Sequence, residues 1–174
     1  QEVIPNRNVY VYDNLIVNPA HVQTQYSHLT VFAPRTASAG LHLPATLRSD
    51  DNLRIRGNVI WNGPANLEIG PEESSQGCQA TNPTCNLAQL RADNLWNVAE
   101  PRLANPSGGD VHVIAGTLPI SATTVAVPAF PANDPAGASL PADSFLAPGV
   151  VSVDRAGQPR GPGEVPGAYV TPRR

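Results

Sequence analysis

The chain has 174 residues and a formal net charge of -3, with 14% charged residues, and every basic residue is arginine. Its 19 prolines and 14 glycines, the absence of methionine and an aromatic content of 5% favour turns and short strands over helices. The arginines are scattered, which excludes the broad basic footprint of a nucleic-acid binder, and no apolar run reaches the about 18 residues needed to cross a bilayer.

The strongest internal signal comes first along the chain. Asn8-Val9-Tyr10-Val11-Tyr12-Asp13-Asn14-Leu15-Ile16-Val17-Asn18 aligns without a gap on Asn52-Leu53-Arg54-Ile55-Arg56-Gly57-Asn58-Val59-Ile60-Trp61-Asn62, 44 positions further on. That distance predicts two turns of about 22 residues each. The intervening turn is His28-Leu29-Thr30-Val31-Phe32, whose Leu29 and Val31 fall where the flanking copies carry Val9, Val11, Leu53 and Ile55. A fourth, looser copy ends in Asn94-Leu95-Trp96-Asn97.

Short alternating strands repeated at a fixed interval predict an all-β solenoid, in which each coil pairs in parallel with the next at about 4.8 Å. Period-2 alternation turns Val9, Val11, Leu29, Val31, Leu53 and Ile55 inward as one aliphatic ladder. Leu41, Leu43, Leu67 and Ile69 form a second. Asparagine tolerates left-handed backbone, and its amide can bond to copies of itself in neighbouring coils. Asn14 and Asn58 are therefore expected at one corner, and Asn18, Asn62 and Asn97 at the next. An antiparallel sandwich with ordinary asparagine turns is the competing fold.

The next feature is the polar stretch Gly77-Cys78-Gln79-Ala80-Thr81-Asn82-Pro83-Thr84-Cys85. A local disulfide between Cys78 and Cys85 is the expected use of the two cysteines in an oxidising compartment. Two thiols without a nearby histidine make a poor zinc site, and the spacing is not that of a redox Cys-x-x-Cys. The chain opens on Gln1 without a signal peptide, as a mature or trimmed secreted product would.

After Asn97 proline, alanine and glycine dominate. We expect coils over residues 1–115 and an irregular C-terminal segment over 116–174, packed along the solenoid or capping it, because a last coil would otherwise leave an open hydrophobic cross-section.

In this region Glu100-Pro101-Arg102-Leu103-Ala104-Asn105-Pro106-Ser107-Gly108-Gly109-Asp110-Val111-His112-Val113, then Ala115-Gly116-Thr117-Leu118-Pro119-Ile120, resembles the stretch that closes many right-handed parallel β-helix repeat proteins. There it typically reads Asp-Pro-Leu-Phe, an Asn-Gly-Asp turn, an apolar strand and Gly-Ser-Pro-Ala-Ile. Asp154-Arg155-Ala156-Gly157-Gln158-Pro159-Arg160 and Val165-Pro166-Gly167-Ala168-Tyr169 resemble that family's endings Asp-x-x-Gly-x-Pro-Arg and Asp-Ile-Gly-Ala-Tyr. Glu100 stands in for the usual Asp and Pro166 for the usual Ile, and residues 121–152 are longer and richer in proline and alanine than the family norm. The resemblance implies a right-handed β-helix of about 3 to 4 coils, a secreted or cell-surface location, polysaccharide as a possible partner, and Ca²⁺, which many members bind. The family's polysaccharide lyases and hydrolases have many coils. The resemblance therefore also implies a fragment, its open N-terminal cross-section covered by missing N-terminal coils or by another chain.

The 22-residue alignment stacks outward positions as Tyr10, Thr30 and Arg54 in one row and Tyr12, Phe32 and Arg56 in the next. The face of Tyr10, Tyr12, Phe32, Arg54 and Arg56 suits stacking on sugar rings and pairing with uronate carboxylates. Its simpler reading is a solvent face, or one covered by the proline-rich tail. His42 and Glu68 occupy equivalent outward positions and form a candidate base with its carboxylate partner, or simply an exposed ion pair. Asp50 and Asp51 could offer oxygens to Ca²⁺ but fall short of its about six to eight ligands. Asp110 reads as a turn residue. No pair of carboxylates is recognisable as that of a hydrolase, and a lyase, which needs a base and a cation or metal to neutralise the uronate, would find arginine a partial substitute here, because lysine is absent. Two functions follow as expectations: a non-catalytic carbohydrate-binding or surface structural module, and, alternatively, part of a polysaccharide lyase or glycoside hydrolase with catalytic residues partly upstream.

Overall fold

The computed structural model describes residues 9–18, 31, 35–36, 48–49, 53–63, 85–118, 125, 153–160, 164 and 166–169. The repeat forms two bent strand pairs, β1 (Tyr10–Tyr12) with β2 (Leu15–Val17), and β5 (Arg54–Arg56) with β6 (Val59–Trp61). Between them in sequence lie β3 (Arg35–Thr36) and β4 (Arg48–Ser49), which pair antiparallel with each other. A helix α1 (Leu87–Asp93) and strand β7 (Leu95–Trp96) follow, then the antiparallel pair β8 (Leu103–Asn105) and β9 (Asp110–Val113).

The repeat copies pair in parallel, in the register that the gap-free alignment predicts. β1 lies on β5 with Tyr10 opposite Arg54, Val11 opposite Ile55 and Tyr12 opposite Arg56. β2 lies on β6 with Leu15, Ile16 and Val17 opposite Val59, Ile60 and Trp61, and β7 joins the other edge of β6 through Val59–Leu95 and Ile60–Trp96. The 22-residue turn is corrected by these contacts. β1 and β5 are hydrogen-bonded neighbours, the Arg54 N–H donating to the Val9 carbonyl at 2.8 Å, so Tyr10 and Arg54 are adjacent with no third row between them. The 44 positions are one step of the ladder, not two. Of the stretch 28–32 only Val31 is among the described residues.

Val31 does face the interior. It is 3% exposed and packs with Ile55, Cys85 and Leu90, with Val11, Leu53 and Trp96 at the margin. Val9 departs from its expected inward place: it precedes the first paired residue and is 38% exposed. Ile60, opposite both Ile16 and Trp96, is 1% exposed, a burial that contributes about 1.5 to 3 kcal/mol.

The corners between strands carry the asparagines expected there, with one more. Asn58, 1% exposed, accepts at Oδ1 from the backbone N–H and side-chain amide of Asn14, at 3.0 and 2.9 Å. Its own amide donates to the Val11 and Arg56 carbonyls and to Asn94 Oδ1, at 2.9, 3.1 and 2.8 Å. The Asn58 backbone N–H also donates to Asn94 Oδ1 at 3.0 Å. The second corner repeats the pattern, the Asn18 amide donating to Asn62 Oδ1 at 3.0 Å and the Asn62 N–H to Asn97 Oδ1 at 2.7 Å. Buried backbone groups that turn away from the sheet must find partners, and the side-chain amides supply them.

In the third layer the helix α1 takes the place of a strand. Asn86 caps it, its Oδ1 accepting from the Gln89 N–H at 3.0 Å, and Leu90 is the residue it buries. Asn94 ties its end to β5 by donating to the Leu90 and Ile55 carbonyls, both at 2.8 Å.

The C-terminal motifs fasten onto the first corner. Asp154, 7% exposed, accepts at Oδ1 from the N–H groups of Ala156 and Gln158 at 2.7 and 2.8 Å, closing a turn through Gly157 at φ 77°. Arg160 donates to the Gly167 carbonyl, and the Gly167 N–H donates to the Asp13 carbonyl at 2.9 Å. Asp13 has a left-handed φ of 54°, and its carboxylate accepts from the Val125 N–H at 2.9 Å. Gly57 lies beneath it, where a Cβ would come within 2.2 Å of Asp13 Oδ1. Only glycine fits that position, at φ 69°.

Two outcomes test these corners. Asn58→Ala should cost about 2 to 4 kcal/mol, because it orphans several buried groups at once. Asn14→Ala, at the exposed rung, should cost about 1 kcal/mol or less. Urea midpoints that move equally for the two would contradict the ladder. Burial raises the Asp13 carboxyl above its ordinary 3.8, against the lowering by the Val125 N–H and by Arg160. The folded chain therefore holds that proton more tightly than the unfolded one. Its contribution is fully present below 3.8 and is lost as pH rises through the raised folded value. Asp13→Asn keeps an oxygen for Val125 and should melt higher than wild type near neutrality, the gap closing as the solution is acidified; a gap independent of pH would refute this.

Candidate functional site

The direct pairing of β1 and β5 brings four of the five expected face residues into one patch. Neighbours along a strand on the same side are separated by about 6.6 Å and neighbours across it by about 4.8 Å, so Tyr10, Tyr12, Arg54 and Arg56 form a compact quadrilateral. The Tyr10 and Tyr12 rings lie 6.1 Å apart at 60°. The Arg54 guanidinium carbon stands 5.7 Å from the centre of the Tyr10 ring, a cation–π arrangement. Both arginines are exposed and flank the buried Ile55.

The helix α1 supplies a wall that the sequence reading missed. Arg56 Nη2 lies 3.3 Å from Asp93 Oδ1, with the Arg56 side chain 49% exposed and that of Asp93 16%. Arg54, Ile55, Arg56, Gln89, Leu90 and Asp93 line an open pocket of about 240 Å³. Its lining mixes two aliphatic residues with two guanidinium groups, one carboxylate and one amide. A lining of this kind can orient a small polar ligand by hydrogen bonds and charge.

A second constellation joins β9 to the tail. His112 Nδ1 lies 2.5 Å from Asp110 Oδ1, which also accepts from the His112 backbone N–H at 3.2 Å. The contact fixes the orientation of the ring and turns Nε2 away from Asp110. Tyr169 stacks on the imidazole, with centroids 3.7 Å apart and planes at 16°. Asp110 therefore holds a histidine as well as following the Gly109 turn at φ 80°.

The remaining expectations are placed unevenly. Phe32, His42, Asp50, Asp51, Glu68 and Cys78 lie outside the described residues. Cys85 is 1% exposed in the core beside Val31, Ile55 and Leu90, and its pairing with Cys78 falls outside the described residues with its partner. Among the described residues no group of three or more His, Cys, Asp or Glu is placed to hold a metal ion, and no helix is long and apolar enough to cross a membrane.

The missed residues had faint signals. Asn86 followed by Gln89, with Leu87 and Leu90 one turn apart among Ala88, Gln89, Arg91 and Ala92, is a short capped helix in sequence. Once α1 is drawn, Gln89 and Asp93 share a face at four-residue spacing. For His112 the signal was Asp110 two residues earlier on the same side of a strand. Comparison with known proteins finds no protein family, no curated protein and no solved structure that matches this chain.

Proposed function

We propose that the chain is part of a secreted or cell-surface, right-handed parallel β-helix protein, and that it serves as a non-catalytic carbohydrate-binding or surface structural module. The observation that carries the binding role is the register of β1 on β5, which gathers Tyr10, Tyr12, Arg54 and Arg56 on one face. Tyrosine rings offer apolar faces to sugar rings, and guanidinium groups match carboxylates in a planar, two-point fashion. The parallel ladders, the stacked asparagine corners and the C-terminal motifs fastened to the first corner support the β-helix reading. Arg54→Ala with Arg56→Ala should weaken retention on an immobilised acidic polysaccharide by about tenfold or more, two charge-assisted contacts being lost, with an unchanged circular dichroism spectrum. Unchanged retention would remove this face as the site.

A second reading, a fragment of a polysaccharide lyase or glycoside hydrolase, is favoured by one observation. His112, its Nδ1 held by Asp110 at 2.5 Å, has the geometry of a general base with its orienting carboxylate. If this is its role, new reducing ends should appear from an acidic polysaccharide with the wild-type protein and vanish with His112→Ala. Release that is absent from the wild type, or that survives the substitution, would discard it.

A further inference from the structure

We infer that Asp93 is a built-in, displaceable counter-ion of the binding face: the carboxylate of an acidic saccharide enters the pocket between α1 and β5 and takes the place of Asp93 on Arg56. The inference rests on the carbohydrate-binding reading and adds what regulates that site and sets its preference for charge.

Four features point this way. The contact between Arg56 and Asp93 is a single point at 3.3 Å, although a guanidinium and a carboxylate in contact prefer two parallel bonds of about 2.8 Å. The arginine is half exposed and the acid is not, so the cation presents its outer side to solvent while the carboxylate lies deeper, against the pocket wall. An aspartate at the last residue of a helix sits at the end where the helix dipole favours a cation, so α1 gains nothing from it there. Arg54 stands over Tyr10 on the same side of β5, which puts a second guanidinium beside the one that Asp93 contacts.

Competition for Arg56 gives the pocket a graded response. A neutral sugar meets an arginine whose nearest donor already serves Asp93. A carboxylated sugar finds two guanidinium groups and replaces one weak ion pair with a better one, while Gln89 at the rim can bond its hydroxyl groups. The pair to be broken is a single-point contact to a half-exposed arginine, weak enough for a ligand to displace.

The test is calorimetric titration with a polyuronate oligosaccharide and with its carboxyl-reduced neutral counterpart. Wild type, Asp93→Asn, Arg56→Ala and the double variant would be compared. The expected result is an affinity of Asp93→Asn for the acidic oligosaccharide about two- to fivefold above wild type, as removal of a partly exposed competing pair allows. The neutral oligosaccharide should show no such gain, and Asp93→Asn should have no effect once Arg56 is alanine. A gain that persists without Arg56 would mean general electrostatics and overturn the displacement. An affinity that is unchanged or lowered in Asp93→Asn, with the wild type binding, would overturn it while leaving the carbohydrate face intact. Binding of neither oligosaccharide by any variant would refute both readings together.

Discussion

Side-chain amides at two bends hold the described structure in register. A strand that turns a corner lifts its peptide groups out of the sheet ladder while keeping them buried, where an unmet N–H or carbonyl costs about 1 to 3 kcal/mol. Asn58 and Asn94 meet that demand in both directions, bonding the backbone of their own layer and that of the layer beside it. The corner can be stacked in one way only, because a shift of one residue would break every bond at once. The pairing of Tyr10 with Arg54 and of Tyr12 with Arg56 is a consequence of that fixed corner, as is the placing of Asp93 beside Arg56.

Legibility in the sequence followed the strength of this constraint. Both corners could be read because the demand for asparagine recurs at the same offsets in two copies, and identical residues at a 44-residue separation leave little ambiguity of register. The coil length could not be read, because alternation of the Leu29 and Val31 kind reports only which way a residue faces. Val31 is inward, yet β1 and β5 pair directly with each other. The helix α1 escaped notice because seven residues are too few for periodicity to stand out. Losing α1 meant losing Asp93 and Gln89, half of the pocket rim. Phe32, His42, Glu68, Asp50 and Asp51 were judged from outward alternation or a bend alone, signals that no hydrogen-bond requirement reinforces.

The C-terminal residues show how short motifs act at a distance. Asp154 folds its own turn, Arg160 reaches the Gly167 carbonyl, and Gly167 delivers its N–H to Asp13 at the first corner. Tyr169 meanwhile lies on His112 of β9. Each motif residue thus has a task in closing the chain on itself, and Asp13 joins that closure to the protonation of one carboxyl.

The spacings between layers and within a layer differ in how far they vary. Asn14 and Asn58 are separated by 44 residues, and Asn58 and Asn94 by only 36, yet their rungs stack alike. Lengthening a connection between fixed ends costs little, since the entropy of closing it grows only with the logarithm of its length. Within a layer the freedom is far smaller: three residues separate Asn14 from Asn18 and Asn58 from Asn62, and where two separate Asn94 from Asn97 the strand between them is correspondingly shorter. Insertions should therefore accumulate between layers in the evolution of such a chain and be purged from the few residues that join one corner to the next, so that the architecture is inherited through spacing more than through length.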